Sequence, residues 1–300
     1  MQGPAKTRTS FRRCAILLDA IGCLVLAGCH EGIVDPKGQI ASAEQLVLVD
    51  ATGIMLAVVV PVILMTIAFA WWFRDGNKRA KRQLSWSYSG RLEVVVWAVP
   101  ALVILFLGGM AWVSTHRLDP PRPIASAVAP IDIEVVSLDW KWLFIYPGQG
   151  VASVNSLVVP TGTPVRLKLT SASVMNSFMV PQLAGQIYTM HAMTTRLNLV
   201  ADHPGVYKGL SSQFSGDGFS DMSFQVTSMS PSDFVGWVER AKQSPTSLDA
   251  TSYGALLKPS SSVPVQTFAA VQPGLFAAVC AGQAPPMPVS APSTIQSHPR

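Results

Sequence analysis

Two long apolar stretches lie in the first 120 residues of the chain. Residues 51–73 and residues 94–115 contain no charged side chain. At 1.5 Å per residue, each stretch is long enough as a helix to cross the ~30 Å hydrocarbon core of a bilayer. Pro61 and Pro100 lie inside them, and bilayer helices tolerate proline because neighbouring helices can satisfy the freed carbonyl groups. The pattern predicts a hairpin of two transmembrane helices.

The pattern changes to short β-rich runs between residues 125 and 228. Turn sequences such as Pro147-Gly148 and Pro204-Gly205 separate the runs, and this spacing is typical of a β-sandwich or barrel. We therefore predict an antiparallel β-sandwich. Its predicted strands cover residues 131–136, 142–146, 165–170, 195–200 and 222–226.

A helical extension is predicted for residues 229–280. A Ser-Pro-Ser-Asp sequence at Ser230 is a typical helix start, and Phe234 begins an apolar stripe at helical spacing. A shorter second helix is predicted over residues 248–257. Residues 281–300 are rich in Pro, Ser and Gln, a composition that predicts a disordered tail.

Charge sets the predicted topology of the hairpin. The loop at residues 74–91 carries six basic side chains and one acidic one, whereas residues 31–50 carry four acidic and one basic. Because basic loops stay in the cytoplasm, the segment at residues 29–50 and the β-domain are both predicted to be periplasmic. The net charge of +5 is concentrated in that loop of a chain that is 49% hydrophobic, so no nucleic-acid partner is predicted.

Residues 1–28 have the features of a lipoprotein signal peptide. Basic side chains precede an apolar core at residues 14–25, which is too short to span a membrane. The core ends in a Leu-Ala-Gly-Cys sequence that resembles the bacterial lipobox, so Cys29 is the predicted lipidation site. Asp19 within the core favours the alternative, an uncleaved anchor with an incidental cysteine.

Cysteine and histidine are too dispersed to predict a disulfide or a metal site. Three of the four cysteines precede residue 30, and Cys280 stands alone. A rival metal set combines His191 and His203 with thioethers at Met175, Met190 and Met193. His203 precedes a Pro-Gly turn, which is typical of a surface residue, and no cysteine lies near either histidine in the sequence.

Two motifs carry a resemblance to a known family. Asp139-Trp140-Lys141-Trp142, together with the stretch from Val174 through Pro181 to Met222, resembles subunit II of the haem–copper oxidases. The similarity covers about residues 26–280. Within the family, the lipobox and a Phe-Ile-Tyr-Pro sequence at Phe144 resemble the cytochrome bo-type ubiquinol oxidase branch. The resemblance implies a cupredoxin-like Greek-key sandwich on the helical hairpin.

The resemblance also implies that a copper site has been lost. In the cytochrome c oxidase branch, a dinuclear copper centre is held by two His, two Cys, one Met and a backbone carbonyl. Serine hydroxyls stay protonated and hard where copper needs soft thiolates, so no metal or other cofactor is predicted in this chain. Phe219 is expected to fill its ligand position as part of the core. The corresponding positions are Asn176, Ser211, Gln213, Ser215, Phe219 and Met222, and Met222 alone keeps its residue type.

Three further residues acquire candidate roles from the resemblance. Glu93, at the cytoplasmic start of the second span, corresponds to a residue at the mouth of a proton-uptake pathway; the alternative is an interfacial acid without function. Trp140 and Trp142 are predicted to pack against the large subunit. The other possibility for them, an electron entry route, needs the missing copper.

The predicted function is that of subunit 2 of a quinol oxidase in the bacterial inner membrane, not catalytic alone. The resemblance implies that subunit I carries the haems and the copper, and that further small membrane subunits accompany it. The alternative is a stand-alone lipoprotein that binds a small molecule or assists assembly, although a free domain would need only a lipid anchor. A cytochrome c oxidase subunit would need the missing ligands.

Overall fold

The computed structural model describes residues 32–81 and 85–283. The predicted signal peptide and Cys29 lie outside the described residues, as does the predicted tail from residue 284 onward. The signal peptide, lipidation at Cys29 and disorder of the tail therefore stay predictions.

Two helices form the N-terminal hairpin. Helix α1 spans Gln39–Trp72 and helix α2 spans Gly90–Arg117, and both are long and apolar enough to cross a membrane. Helix α1 begins twelve residues before the apolar stretch at residue 51. Ala41 is the only buried residue of α1, and α2 has none. The faces of the hairpin are therefore available to lipid or to other subunits.

Two β-sheets pack face to face after the hairpin. One sheet has the strand order β11-β3-β2-β1-β5-β8, and the other has the order β4-β10-β9-β6-β7. The strands are β1 (Ile131–Leu138), β2 (Lys141–Tyr146), β3 (Val151–Val154), β4 (Ser156–Pro160), β5 (Val165–Ser171), β6 (Asn176–Val180), β7 (Ala184–Thr189), β8 (Thr195–Leu199), β9 (Gly205–Ser211), β10 (Ser223–Met229) and β11 (Gln266–Phe268).

The five predicted strands correspond to β1, β2, β5, β8 and β10, and six other strands were missed. The prediction of an antiparallel sandwich is wrong for two pairs, because β1 pairs with β5 and β4 pairs with β10 in parallel. Strand β3 has the sequence Val-Ala-Ser-Val, and β6 begins with Asn-Ser. Such short strands with small or polar residues lack the alternation that identifies a strand in sequence. They form because partner strands on each side supply their hydrogen bonds.

The extension after the sandwich contains three helices: α3 (Pro231–Lys242), α4 (Ala250–Leu256) and α5 (Leu275–Cys280). Ser230 caps α3 by accepting a hydrogen bond from the backbone N–H of Asp233. The extension also contains a strand that was not predicted, since β11 joins the edge of the first sheet beside β3. Residues of the extension form a second apolar core on the outer face of that sheet.

The segment before α1 attaches the hairpin to the sandwich. The backbone N–H of Lys37 donates to Gln182 O at 2.7 Å, and its carbonyl accepts from Asp202 N at 2.9 Å. Gly38 lies so close to the carbonyls of Leu183 and Val200 that a Cβ would not fit. The first turns of α1 are therefore fixed against the sandwich.

Candidate functional site

The six ligand-equivalent positions lie at one end of the sandwich. Asn176 begins β6, Ser211 ends β9, and the connection from β9 to β10 carries the other four. Strand β6 pairs with β9, and this pairing brings the two loops together. The turn between β1 and β2, which holds Trp140, packs against the same connection.

Hydrogen bonds join the ligand-equivalent side chains. Asn176 is 1% exposed, and its Oδ1 accepts from the hydroxyl of Ser211 at 3.3 Å. The same hydroxyl lies 3.3 Å from the carbonyl of Gln213. Ser215 Oγ lies 3.9 Å from the thioether sulfur of Met222. Five of the six predicted positions therefore form two bonded groups at this end of the sandwich, which we call together the polar cluster. One group contains Asn176, Ser211 and the Gln213 carbonyl, and the other contains Ser215 and Met222.

This cluster does not fit a dinuclear copper centre. Copper of that kind needs two bridging thiolates and imidazole nitrogens, whereas the cluster offers hydroxyls, one carboxamide and one thioether. Within residues 32–81 and 85–283, no group of three or more His, Cys, Asp or Glu side chains is placed to hold an ion. The donors present are those of a hydrogen-bonded packing site.

Phe219 does not become part of the core as predicted. It lies in a 3-10 turn (Phe219–Asp221), is half-buried, and its ring packs edge-on against Phe214 at 5.6 Å. Met222, which is 2% exposed, is the buried residue of this loop. The prediction is wrong because the turn directs Phe219 toward Phe214 at the surface and not between the sheets.

The prediction that Trp142 contacts the large subunit is also wrong. Trp142 is 0% exposed and packs edge-on against Phe178 at 5.4 Å, so it cannot reach another chain. Trp140 is half-buried, has a φ of 63°, and donates from Nε1 to Ser215 O at 3.1 Å. Of the two predicted interface aromatics, only Trp140 reaches the surface.

The rival metal set does not assemble. His191 forms an isolated β-bridge with Ser171, the last residue of β5. His203 follows β8, and Leu199 near the end of β8 pairs with Val165 at the other end of β5. A seven-residue strand is ~20 Å long. The two exposed histidines therefore lie too far apart to bind one ion.

A buried lysine, Lys141, lies beside this site and was not predicted from the sequence. Lys141 is 1% exposed, and burial lowers the pKa of its amine, an effect that Asp139 partly offsets. Its Nζ donates to Asp139 O at 3.1 Å, to Lys258 O at 2.9 Å and to Ser260 Oγ at 2.7 Å. Lys141 therefore attaches the C-terminal extension to the sandwich. Its position between two tryptophans was the only available signal.

Replacing Lys141 should loosen that attachment. Lys141→Met keeps the apolar stem but removes three part-buried hydrogen bonds donated by a charged group, so we expect a loss of about 2–3 kcal/mol in the free energy of unfolding. Proteolysis should then cut the extension faster in the purified chain. Lys208→Met, at an exposed position of β9, is the matched control, and equal cleavage of both variants would contradict the assignment.

Glu93 lies where the sequence predicts, in the first turn of α2. Its side chain is exposed, and its backbone N–H donates to Ser89 O at 3.0 Å. An acid in the first turn also interacts favourably with the helix dipole. The position of Glu93 fits both a role in proton uptake and an interfacial acid without function. Its role in proton uptake stays a prediction.

Two family models match the chain. The model described as "Cytochrome C oxidase subunit II, periplasmic domain" matches residues 139–229, and the model "COX Aromatic Rich Motif" matches residues 242–287. The first includes all six ligand-equivalent positions, and the second covers most of the extension. Among solved structures, the periplasmic domain of subunit II of cytochrome oxidase from Bradyrhizobium japonicum is 24% identical, with a TM-score of 0.37 over 40% of this chain and 96% of that chain.

The fold and the site define a membrane-anchored, cupredoxin-like subunit whose copper-ligand positions hold neither thiolate nor imidazole. Cytochrome bo(3) ubiquinol oxidase subunit 2 of Pseudomonas putida is 48% identical over 87% of this chain and 83% of the relative. Ubiquinol oxidase subunit 2 of Acetobacter aceti is 45% identical over 86% and 84%. The chain belongs to the family of cytochrome bo(3) ubiquinol oxidase subunit 2.

The predicted family and fold class are thereby confirmed: a two-helix hairpin, a cupredoxin-like sandwich and C-terminal helices. Quinol oxidase subunit 2 of Bacillus cereus is also similar, at 31% identity over 84% of this chain and 88% of the relative. The chain is a subunit of an oxidoreductase complex and is not catalytic alone.

Proposed function

We propose that this chain is the metal-free second subunit of a proton-pumping ubiquinol oxidase in the bacterial inner membrane, where it stabilises a large subunit that carries the haems and the copper. The observation that carries the proposal is the presence of Asn176, Ser211 and Ser215 at copper-ligand positions of an intact cupredoxin-like scaffold, where none of them can supply a thiolate or an imidazole. Ubiquinol is lipid-soluble and delivers electrons from within the membrane. The complex therefore needs no periplasmic copper to accept electrons.

Purification of the complex through a tag on this chain tests the proposal. We expect haem absorbance, a large multi-span partner, and oxygen consumption with ubiquinol but not with reduced cytochrome c. Menaquinol in the same assay identifies the quinol that is used. A preparation with this chain and no haem would exclude the role.

We propose further that Cys29 carries a lipid that reaches the membrane. Gln45 Nε2 donates to Val34 O at 2.8 Å, which folds the N-terminal segment back along α1 toward the apolar stretch. Gln45 precedes residue 51 by about 9 Å of helix, and five extended residues from Cys29 to Val34 span up to ~17 Å. The expected intact mass is that of a chain beginning at Cys29 with acyl groups, whereas an unmodified chain beginning at Met1 would contradict it.

Glu93 is proposed to lie at the entrance of a proton-uptake path that continues in the large subunit. Its position supports this, because Glu93 is exposed in the first turn of α2 and closely follows the basic loop at residues 74–91. We expect Glu93→Gln to lower turnover and proton pumping together, because a carboxamide cannot take up or release a proton as a carboxylate does.

The control for Glu93 is Asp75→Asn, an exposed acid in the basic loop that precedes α2. Oxygen consumption and proton release are measured on complexes with equal haem content. Wild-type turnover in the Glu93→Gln complex would remove the proposed role and leave an interfacial acid.

A further inference from the structure

The basic loop at residues 74–91 is ordered by its own side chains directly after α1. Asn77 Nδ2 donates to Trp72 O at 2.6 Å, and Asn77 Oδ1 accepts from the backbone N–H of Arg79 at 3.1 Å. The backbone N–H of Asn77 also donates to Arg74 O at 3.0 Å, which closes a turn. Asn77 therefore folds the first part of the basic loop back against the end of the helix.

Arg74 is held at the boundary of the membrane. Its guanidinium carbon lies 5.0 Å from the centroid of the Trp71 ring, a cation–π arrangement. Trp71 is 62% exposed, and tryptophan at the end of a span lies at the level of the lipid headgroups. The Arg74 guanidinium is therefore placed at the depth of the lipid phosphates.

Three more cations follow Arg74 within seven positions, and all of them are exposed: Lys78, Arg79 and Lys81. Asp75 is the one acid in the sequence of the basic loop. Within residues 32–81 and 85–283, no ion pair joins any of these four cations to a carboxylate. Their charges are therefore available to an anion outside this chain.

Aromatic side chains also precede the second span. Trp86 is 58% exposed and Tyr88 is 73% exposed, and α2 begins two positions after Tyr88. Tryptophan and tyrosine favour the headgroup level at both ends of a bilayer. The two ends of the basic loop therefore both lie at the membrane surface, which keeps the cations between them next to the bilayer.

This arrangement exceeds what the topology of the hairpin requires. Orientation depends on the number of basic residues in a short loop, and neither the Arg74–Trp71 contact nor the Asn77 hydrogen bonds change that number. Lysine is depleted in protein–protein interfaces, whereas basic clusters that directly follow a span on the cytoplasmic side bind anionic lipid headgroups. The composition of the basic loop therefore favours a lipid over a protein partner.

We propose that the basic loop is a binding site for anionic phospholipid in the cytoplasmic leaflet. Arg74 binds a lipid phosphate at the end of α1, where its planar guanidinium can donate two hydrogen bonds to one phosphate group. Lys78, Arg79 and Lys81 bind neighbouring phosphates. The site goes beyond the proposed function, because it needs no haem-carrying partner.

Photo-crosslinking to lipid tests the site in the intact complex. Phe73→p-benzoylphenylalanine replaces an exposed aromatic residue beside Arg74 and serves as the reporter in the full chain. The tagged complex is reconstituted in vesicles of equal phosphatidylglycerol and phosphatidylcholine, and lipid adducts of this chain are counted by mass spectrometry. We expect at least ten phosphatidylglycerol adducts for each phosphatidylcholine adduct, and a lower ratio at high salt.

Neutralising two cations should lower that ratio. Lys78→Gln combined with Arg79→Gln should reduce it at least fivefold, because a basic side chain near an anionic surface contributes about 1 kcal/mol to binding. Four basic residues remain in the loop, so the orientation of the hairpin should be retained. The matched control is Lys208→Gln with Arg240→Gln, which removes the same two residue types from exposed positions of the periplasmic domain.

A second variant keeps every charge of the loop. Trp71→Leu removes the ring beneath Arg74, and we expect the ratio to fall roughly two- to fivefold, the scale of an exposed cation–π contact. An unchanged ratio in Trp71→Leu would contradict the placement of Arg74 on a lipid phosphate.

The outcomes separate this inference from the proposed function. Equal adducts with both lipids in the reporter chain, equal ratios in the double variant and its control, or protein adducts in place of lipid adducts would each overturn the lipid site. Haem in the tagged preparation is measured independently, so its presence keeps the proposed function whichever lipid is bound.

Discussion

Trp142→Ala is expected to cost about 3–5 kcal/mol in the free energy of unfolding, the usual range for truncating a fully buried aromatic side chain. Trp142 is packed against Phe178 at 5.4 Å and Phe224 at 5.6 Å, so its removal opens a cavity between the two sheets. The melting temperature of the purified chain should fall by roughly 10 °C or more.

The matched control for Trp142→Ala is Val235→Ala, at an exposed position, which should change the melting temperature little. Thermal unfolding followed by near-ultraviolet circular dichroism gives both values. If Trp142→Ala instead kept its stability and lost its partner subunits, the residue would belong to an interface and the packing described above would be incorrect.

Restoring the copper ligands should restore a metal centre. The combined substitutions Asn176→His, Ser211→Cys, Ser215→Cys and Phe219→His supply two thiolates and two imidazoles, and the Gln213 carbonyl and Met222 sulfur are already in place. Asn176 and Ser211 are in contact, as are Ser215 and Met222. We expect copper to bind with strong thiolate-to-copper absorption in the visible range.

Elemental analysis of the quadruple variant should give copper at the stoichiometry of a dinuclear site. The control keeps Ser211 and Ser215 while introducing the two histidines, and it should bind no dinuclear centre because the bridging thiolates are absent. Failure of the quadruple variant to bind copper would mean that the loop has changed its backbone as well as its side chains.

The hairpin and the loss of copper could be predicted because each depends on residue type alone. A stretch without charge at residues 51–73 implies a span, and serine at positions 211 and 215 excludes thiolate ligands. Whether the Phe219 ring enters the core depends on the direction of a 3-10 turn. No pattern of apolar residues encodes that direction.

Trp142 shows why the burial of a side chain was harder to predict than the position of its strand. Strand β2 is buried at all six positions, because the second sheet covers one face and the C-terminal extension covers the other. A strand at the sandwich surface would have alternated between buried and exposed residues. The C-terminal extension that covers this second face lies more than a hundred positions away in the chain. The sequence around β2 therefore does not indicate that the face is buried.

The extra turns of α1 couple the periplasmic domain to the bilayer. The helix runs without interruption from Gln39 to Trp72 at the opposite end of the span. Its start is attached to the sandwich by the close approach of Gly38. Changes in bilayer thickness are accommodated by helix tilt. Helix α1 is continuous from the sandwich into the span, so a change in its tilt would also move the sandwich relative to the neighbouring subunit. Lipid composition would then influence the contact between the subunits.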